Sequence, residues 1–335
     1  MRRRSFLWGA LAAGAGVAGC APTVQAALQP PGEFQGAHFL TDAFVSFDGA
    51  RLGLSKWAPP AGTEPWAVVI GLHGMNDYAN TYFMAGPYWA DRGIATYAYD
   101  ARGFGRSPRR GEWGGEELLT EDLRTACRVA RRDHPNAILA VVGESMGGAT
   151  AIATFGAPGA PPLDRLVLAA PAVWGWSDLP DMYALTLWLG AHTMPGRAVT
   201  APRNVQRRIV PSDNVEMLRA IGRDRNMIFQ TRVDALYGLV TLMETAADRV
   251  ATLSPAPLYV YGARDMIIPR ASAERAAAAL PQGARTLLYE NGYHMLLRDL
   301  QAQAVFADIE AYLRDPNTAF PSRATLAQAG GTPGT

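Results

Sequence analysis

The chain has 335 residues, of which 49% are hydrophobic, enough for one large globular core or for a core with a sizeable insertion. Its 31 basic and 30 acidic residues give a formal net charge of +1, and no basic stripe is visible beyond the N-terminus. This charge balance argues against a polyanionic partner, so nucleic-acid binding is excluded from the prediction.

The first residues have the pattern of an export signal. Three arginines, Arg2 to Arg4, precede an apolar stretch rich in alanine and glycine at Phe6–Gly19. This stretch is shorter than the about 20 residues that a membrane-spanning helix needs, and it fits the apolar region of a secretory signal. The arginines before Ser5 resemble the twin-arginine export pattern. We therefore predict a signal peptide over residues 1–19.

The signal ends in a segment, Val17–Cys20, that resembles a bacterial lipobox, in which the cysteine is lipidated and becomes the first mature residue. A plain signal peptide with a chance cysteine is the alternative. Alanine rather than aspartate follows Cys20, and by resemblance this predicts an exported lipoprotein on the periplasmic side, anchored in the outer membrane. Cys127 lies in a helical run and is predicted to be a small buried hydrophobe, without a disulfide partner once Cys20 carries lipid.

Composition divides the rest of the chain into three parts. Residues 20–40, rich in proline, glycine and glutamine, are predicted to be a tether, and residues 41–318 to be the folded domain. Residues 319–335 lack large apolar side chains after Leu326 and are predicted to be a disordered tail.

Strands and helices alternate through the domain. Its strand segments are continuous apolar runs, which is typical of a mainly parallel sheet covered on both faces, so the predicted fold class is α/β. In chain order the predicted elements are a hairpin turning at Asp48 and Gly49, strand 66–72, helix 80–93, strand 94–100, helix 115–134, strand 137–143, helix 145–156, strand 163–171, and, after an interruption, strand 256–265, helix 271–280, strand 284–290 and helix 299–314.

The interruption, at about 172–250, does not follow this rhythm. It holds three of the eight tryptophans, and polar runs divide its apolar segments. This pattern predicts a mostly helical cap above the sheet rather than more core.

One serine stands at the end of a predicted strand and the start of a predicted helix. The segment from Gly143 to Gly147 reads G-E-S-M-G, with Ser145 at its centre. This is the context that the nucleophile elbow of hydrolases requires, a tight turn whose flanking glycines avoid steric clashes. Ser145 is therefore the predicted nucleophile.

A serine hydroxyl needs a base and an orienting carboxylate to become reactive. His294 follows the last predicted strand, and Asp265 follows the strand after the cap. The chain order of serine, aspartate and histidine is the one that this elbow motif accompanies. Among the other histidines, His73 follows an early strand and is predicted to serve loop structure. The remaining predictions are surface positions for His38 and His134 and a cap position for His192.

The oxygen of an attacked carbonyl needs hydrogen-bond donors as negative charge develops on it. One predicted donor is the backbone N–H of Met146, next to the nucleophile. The other is the backbone N–H of Met75, in the loop after strand 66–72. This chemistry requires no metal and no organic cofactor, and none is predicted.

Five segments of the chain carry a family resemblance. In chain order they are GLHGMNDY, YDARGFGRSPRRG, VVGESMGGA, YGARDMIIP and GYHMLLRD. Together they resemble the monoacylglycerol lipase and lysophospholipase branch of the α/β-hydrolase superfamily, including the serine aminopeptidase S33 type. The resemblance runs from about Phe44 to Leu313 and includes the cap, and it implies an α/β-hydrolase fold with a helical cap insertion.

The chain departs from the family pattern in two places. Where many members have histidine before the serine, this chain has Glu144, as in similar plant enzymes. It also has Asn76-Asp77-Tyr78 where the family often has an acidic residue and histidine, a departure that concerns head-group recognition.

The sequence thus predicts a serine hydrolase of carboxylic esters, with monoacylglycerol or lysophospholipid as the resemblance-based substrate. A proline-type aminopeptidase or an acyltransferase could use the same triad. A catalytically silent, lipid-anchored binding protein is the alternative from another class. Aromatic cap residues, Trp174, Trp176, Tyr183 and Trp188, could line an acyl tunnel or could simply pack the cap core.

Overall fold

A computed structural model of the protein describes residues 21–202, 204 and 208–322. The predicted signal peptide, Cys20 and the tail beyond residue 322 lie outside the described residues. The strands are His38–Phe39 (β1), Ala43–Val45 (β2), Arg51–Trp57 (β3), Ala67–Leu72 (β4), Ile94–Tyr99 (β5), Ile138–Glu144 (β6), Arg165–Ala169 (β7), Ala198–Val199 (β8), Thr231–Arg232 (β9), Leu258–Gly262 (β10) and Arg285–Tyr289 (β11).

Within the described residues, a nine-stranded sheet runs in the order β1-β2-β3-β5-β4-β6-β7-β10-β11. The first three strands are antiparallel, and β3 pairs antiparallel with β5. From β5 to β11 every neighbouring pair is parallel. Strands β4 and β5 are buried along their whole length, because helices cover both faces. The predicted, mostly parallel sheet is confirmed.

Helices fill the intervals between the strands. Helix α2 is amphipathic: Leu119, Leu123 and Cys127 are buried at spacings of four, which places them on its core face. Burial raises the pKa of the Cys127 thiol to about 12, so this cysteine packs as a hydrophobe, as predicted. The helices are Ala85–Ala90 (α1), Gly115–Asp133 (α2), Met146–Phe155 (α3), Asp181–Thr193 (α4), Val215–Ile221 (α5), Val233–Arg249 (α6), Arg270–Ala278 (α7) and Ala302–Arg314 (α8).

The predicted helix 80–93 is divided in the structure. A short 3₁₀ turn covers Ala79–Tyr82, and α1 begins only at Ala85. Pro87 explains the division, because proline lacks the N–H that a continuous helix would use and is tolerated only in a first turn.

The cap contains α4, α5, α6 and the short antiparallel pair β8–β9, so it is mostly helical in its described part. Helix α6 is its base: Leu242, Met243 and Ala246 are buried in the same core as the sheet. Helix α4 lies further out, and Ala191 is its buried residue. None of the helices in the described ranges is long and apolar enough to cross a membrane.

The folded domain includes residues from both terminal segments that were predicted to lie outside it. Gln25 is buried, its N–H donates to Trp113 O (2.9 Å), and its Nε2 donates to Glu112 O (2.8 Å). Strand β1 also lies inside the segment 20–40 that we predicted to be a tether. The folded body therefore extends N-terminal to the predicted boundary, since this stretch finds backbone partners that its polar composition did not reveal. At the other end Phe320 is buried beside Arg285.

Candidate active site

Ser145 occupies the sharp turn between β6 and α3. Its backbone has φ 54° and ψ −117°, a conformation that non-glycine residues rarely adopt and that costs about 1–3 kcal/mol. The flanking glycines permit the turn: a Cβ on Gly143 would lie 2.6 Å from Gly147 O, and one on Gly147 would overlap Leu72 O. The strained residue of this turn is the one that the motif identifies as the nucleophile.

Asp265 and His294 are in direct contact. His294 Nδ1 lies 2.8 Å from Asp265 Oδ2, and both side chains are nearly or fully buried. Asp265 Oδ1 accepts hydrogen bonds from the N–H groups of Ile267 (2.7 Å) and Ile268 (3.0 Å). A carboxylate is an acceptor, so Nδ1 carries the proton and Nε2 keeps its lone pair. This is the arrangement of a general base with its orienting partner.

The three predicted triad residues follow the carboxyl ends of strands in the same half of the sheet. Ser145 follows β6, Asp265 follows β10 and His294 follows β11, and these strands lie in the order β6-β7-β10-β11. The predicted triad needs one contact between Asp265 and His294 and another between His294 and Ser145. The structure shows the first of these. Within the described residues, the Ser145 hydroxyl makes no hydrogen bond with His294. Catalytic hydrogen bonds of this kind often tighten only with substrate bound.

The loop after β4 lies against the nucleophile. A Cβ built on Gly74 would lie 3.3 Å from Ser145 Cβ and 3.8 Å from its Oγ. Met75 follows in this loop, and Met146 is the first residue of α3, where backbone N–H groups have no partner inside the helix. The positions of Met75 and Met146 suit the predicted oxyanion donors, whose role stays a prediction.

His73 is held by the same loop and has no free nitrogen for catalysis. Its Nδ1 donates to Gly74 O (2.7 Å), and its Nε2 accepts from Ala101 N–H (2.9 Å). Burial lowers its pKa, which favours the neutral ring that these contacts require. His73 therefore has the structural role that the sequence predicted.

A buried ionic cluster beneath the site was missed by the sequence analysis. Arg298 donates from Nη1 to Asp77 Oδ2 (2.7 Å) and from Nη2 to Glu144 Oε1 (2.8 Å). Burial raises the pKa of Glu144, while the positive charge of Arg298 opposes that shift. The only sequence signal was the presence of charged residues inside apolar runs, at Glu144 of the elbow and at Arg298 in HMLLRD.

The cap is hydrogen-bonded to the loop that carries His294. Residues 211–214 of the cap make four hydrogen bonds with residues 295–300. They are Met295 N–H to Pro211 O (3.0 Å), Ser212 Oγ to Asp299 Oδ1 (2.6 Å), Asn214 Nδ2 to Arg298 O (3.0 Å) and Leu300 N–H to Asp213 Oδ1 (2.9 Å).

The cap also contacts the loop that carries Met75. Asn76 Nδ2 donates to Thr231 Oγ1 (2.7 Å), Asn76 O accepts from Ile228 N–H (3.0 Å), and Tyr78 donates to Asp224 Oδ2 (2.6 Å). Two of the catalytic loops are therefore fastened to the cap as well as to the sheet.

An apolar cleft of about 710 Å³ opens between α4 and α6, and Tyr183 lines it. Trp174 and Trp176 instead pack on the core, and Trp188 stacks on His192. Of the four aromatic residues considered for an acyl tunnel, Tyr183 is the one at this cleft. In the described part of the chain, no group of three or more His, Cys, Asp or Glu side chains is placed to hold a metal ion.

Residues 63–301, more than half of the chain, match the family described as "Serine aminopeptidase, S33". The chain belongs to this family. The chain is similar in sequence to the monoacylglycerol lipase of Mycolicibacterium smegmatis. The two are 26% identical over 295 residues, which cover 81% of this chain and 95% of that protein.

Solved structures share the α/β-hydrolase fold. The monoacylglycerol lipase of Paleococcus ferrophilus superimposes with a TM-score of 0.65 at 18% identity, covering 78% of this chain and 98% of that one. A soluble variant of monoglyceride lipase from Saccharomyces cerevisiae gives 0.68 at 16% identity, covering 87% and 99%. A carboxyl esterase from Bacillus coagulans gives 0.66 at 19% identity, covering 84% and 99%. The predicted fold of this S33 family member is confirmed.

Proposed function

We propose that this carboxylic ester hydrolase cleaves monoacylglycerol-type lipid esters through an acyl-enzyme on Ser145. The observation that carries the proposal is the strained Ser145 turn together with the His294–Asp265 pair at 2.8 Å. The similar proteins from Mycolicibacterium smegmatis, Paleococcus ferrophilus and Saccharomyces cerevisiae support the substrate class.

The mechanism follows from the tautomer that Asp265 imposes. His294 Nε2 takes the hydroxyl proton as Ser145 Oγ attacks the acyl carbonyl carbon. The carbonyl oxygen becomes an oxyanion, met by the N–H groups of Met75 and Met146. His294 then gives its proton to the departing alkoxide oxygen as the ester C–O bond breaks. Water, deprotonated by the same nitrogen, attacks the acyl-enzyme and releases the fatty acid.

The surface of the cap supports a lipid substrate. Helix α4, an outer element of the cap, exposes four large apolar side chains. They are Met182 (72% exposed), Tyr183 (69% exposed), Leu185 and Trp188. Exposed apolar surface of this kind marks a site that meets an apolar partner. Side chains of this helix and of α6 line the apolar cleft, and an acyl chain is the ligand that this lining suits.

A peptidase would need free carboxylates to grip an amino terminus, and most acidic side chains of the cap are already engaged. This favours an ester over a peptide with a free amine. The engaged pairs are Asp178 with Arg275, Asp213 with Leu300 N–H, Asp224 with Tyr78, Asp234 with Arg232 and Glu244 with Ser177.

We also propose that the protein is exported and lipidated at Cys20, on the periplasmic side of the outer membrane. The support is the sequence pattern of residues 1–20. A lipid anchor would bring the enzyme to a surface where acyl esters are concentrated.

The substrate proposal is tested by comparing wild-type protein with Ser145→Ala on four substrates: 1-monooleoylglycerol, lysophosphatidylcholine, a p-nitrophenyl acyl ester and prolyl-naphthylamide. We expect the wild type to turn over the monoacylglycerol and the p-nitrophenyl ester, with loss of turnover in the variant. Preference for prolyl-naphthylamide would overturn the ester assignment, and preference for the lysolipid would overturn the acylglycerol assignment. Wild-type rates in Ser145→Ala would overturn the mechanism.

A further inference from the structure

Arg298 is among the largest fully buried side chains described in this protein, with 2% of the side chain exposed. Its guanidinium is planar and forked, so its two terminal nitrogens bind two separate carboxylates at fixed angles. One is Asp77 (2.7 Å) and the other is Glu144 (2.8 Å), both nearly fully buried.

Each member of this cluster belongs to a different catalytic loop. Asp77 lies two residues after Met75, in the loop predicted to donate to the oxyanion. Glu144 immediately precedes the nucleophile Ser145, and Arg298 lies four residues after His294. A single guanidinium thus ties together the oxyanion loop, the nucleophile elbow and the loop of the base.

Stability alone does not explain this cluster. Burying charges is costly, and a buried ion pair often stabilises a fold less than apolar side chains of similar volume. The cluster is also incompletely satisfied, because Glu144 Oε2 and Arg298 Nε are buried and have no hydrogen-bond partner among the residues that the structure describes. Its two carboxylates and one guanidinium leave a formal net charge of −1. What the cluster does provide is a fixed geometry among three loops.

We propose that Arg298 is a positioning residue that fixes the loop carrying Met75 relative to Ser145 and His294. This inference rests on the proposed function. Asp77 transmits the restraint, because its Oδ1 accepts from Tyr78 N–H (2.8 Å) and its own N–H donates to Gly74 O (3.3 Å). Asp77 therefore fixes the turn that contains Met75. A shift of that turn weakens stabilisation of the oxyanion, which exists only in the transition state, so kcat falls while KM is retained.

The chain contains a matched cluster whose three members lie outside the oxyanion loop, the nucleophile elbow and the loop of the base. Arg102 binds Asp48 (2.8 Å) and Asp122 (2.7 Å), and all three side chains are as buried as those around Arg298. Asp48 lies in the turn before β3, and Asp122 lies on α2. This second cluster has the same chemistry and joins none of the three catalytic loops to another, which makes it the control.

The experiment compares Asp77→Asn with Asp122→Asn in the full-length protein on a p-nitrophenyl acyl ester, with thermal denaturation alongside. Asparagine at position 77 keeps the acceptor for Tyr78 N–H but presents an NH₂ group to Arg298, which breaks the link. We expect kcat to fall about 100-fold with KM within about threefold, since loss of one oxyanion donor costs about 10²–10³. Asp122→Asn should lower the melting temperature comparably and leave kcat within about threefold.

Arg298→Lys is the second variant, because it keeps the charge and removes the fork. It should show the same fall in kcat with retained KM, so the inference stays testable if Asp77→Asn fails to fold. Three results would overturn the inference: unchanged kcat in a folded cluster variant, a raised KM with unchanged kcat, or an equal fall in kcat for Asp122→Asn. Each differs from failure of the proposed function, which would show as wild-type turnover in Ser145→Ala.

Discussion

Replacing Asp265 with asparagine should remove most of the turnover and leave the fold intact. The backbone N–H groups of Ile267 and Ile268 hold Asp265 Oδ1, and Oδ2 faces His294 Nδ1 at 2.8 Å. Because two donors require an acceptor at Oδ1, asparagine keeps its carbonyl oxygen there. Its NH₂ group then faces the imidazole.

An NH₂ group can meet His294 only at an unprotonated Nδ1, which moves the ring proton to Nε2. That nitrogen must take the Ser145 proton, and in this tautomer it has no lone pair with which to do so. A triad whose histidine is in the wrong tautomer loses about 10⁴ in kcat. This loss corresponds to about 5.5 kcal/mol of transition-state stabilisation.

The assay is kcat on a p-nitrophenyl acyl ester, with thermal denaturation of the same preparations. Asp308→Asn is the matched control, because Asp308 is also fully buried, with Oδ1 accepting from Ser322 N–H (2.9 Å) and Oδ2 from Tyr289 (2.7 Å). The control should keep its kcat. A folded Asp265→Asn variant with kcat within tenfold of wild type would refute the tautomer argument.

Three further predictions concern the nucleophile pocket, the cap contact and the anchor. Gly74→Ala places a Cβ 3.3 Å from Ser145 Cβ, so kcat/KM on the same ester should fall about tenfold with little change in melting temperature, and an unchanged rate would contradict this. Burial raises the pKa of Asp299 from its ordinary 3.8 to about 6, so the folded state holds this proton longer than the unfolded state and loses stability as pH rises between those values. At about 1.4 kcal/mol per pKa unit the full penalty is about 3 kcal/mol. The free energy of unfolding of Asp299→Asn minus that of the wild type, measured in urea, should therefore rise by about 2 kcal/mol between about pH 4 and about pH 7.5. A pH-independent difference would refute the assignment. Cys20→Ala should move the protein from the membrane to the soluble periplasmic fraction, whereas unchanged membrane association would contradict lipidation there.

The features that sequence predicted best are those fixed by local pattern. Apolar runs identified the strands, and the G-E-S-M-G segment identified the turn at Ser145, because only a strand followed at once by a helix needs those glycines. The Asp265–His294 contact also followed, since residues after neighbouring parallel strands meet at one edge of a sheet.

Features that depend on pairing between distant segments could not be predicted in this way. Arg298, Asp77 and Glu144 come from three loops, and the position of each charge along the chain does not identify its partners. Gln25 illustrates the same limit, because its composition-based assignment to a tether gave no sign of its backbone partners at Glu112 and Trp113.

The most direct test of the central claim is to identify the residue that reacts with a fluorophosphonate probe, by digestion and mass spectrometry of the labelled protein. An activated serine should attack the phosphorus and remain phosphonylated. The account predicts one adduct on the peptide that contains Ser145, and no labelling of Ser145→Ala. An adduct on a different serine, or undiminished labelling of that variant, would contradict it.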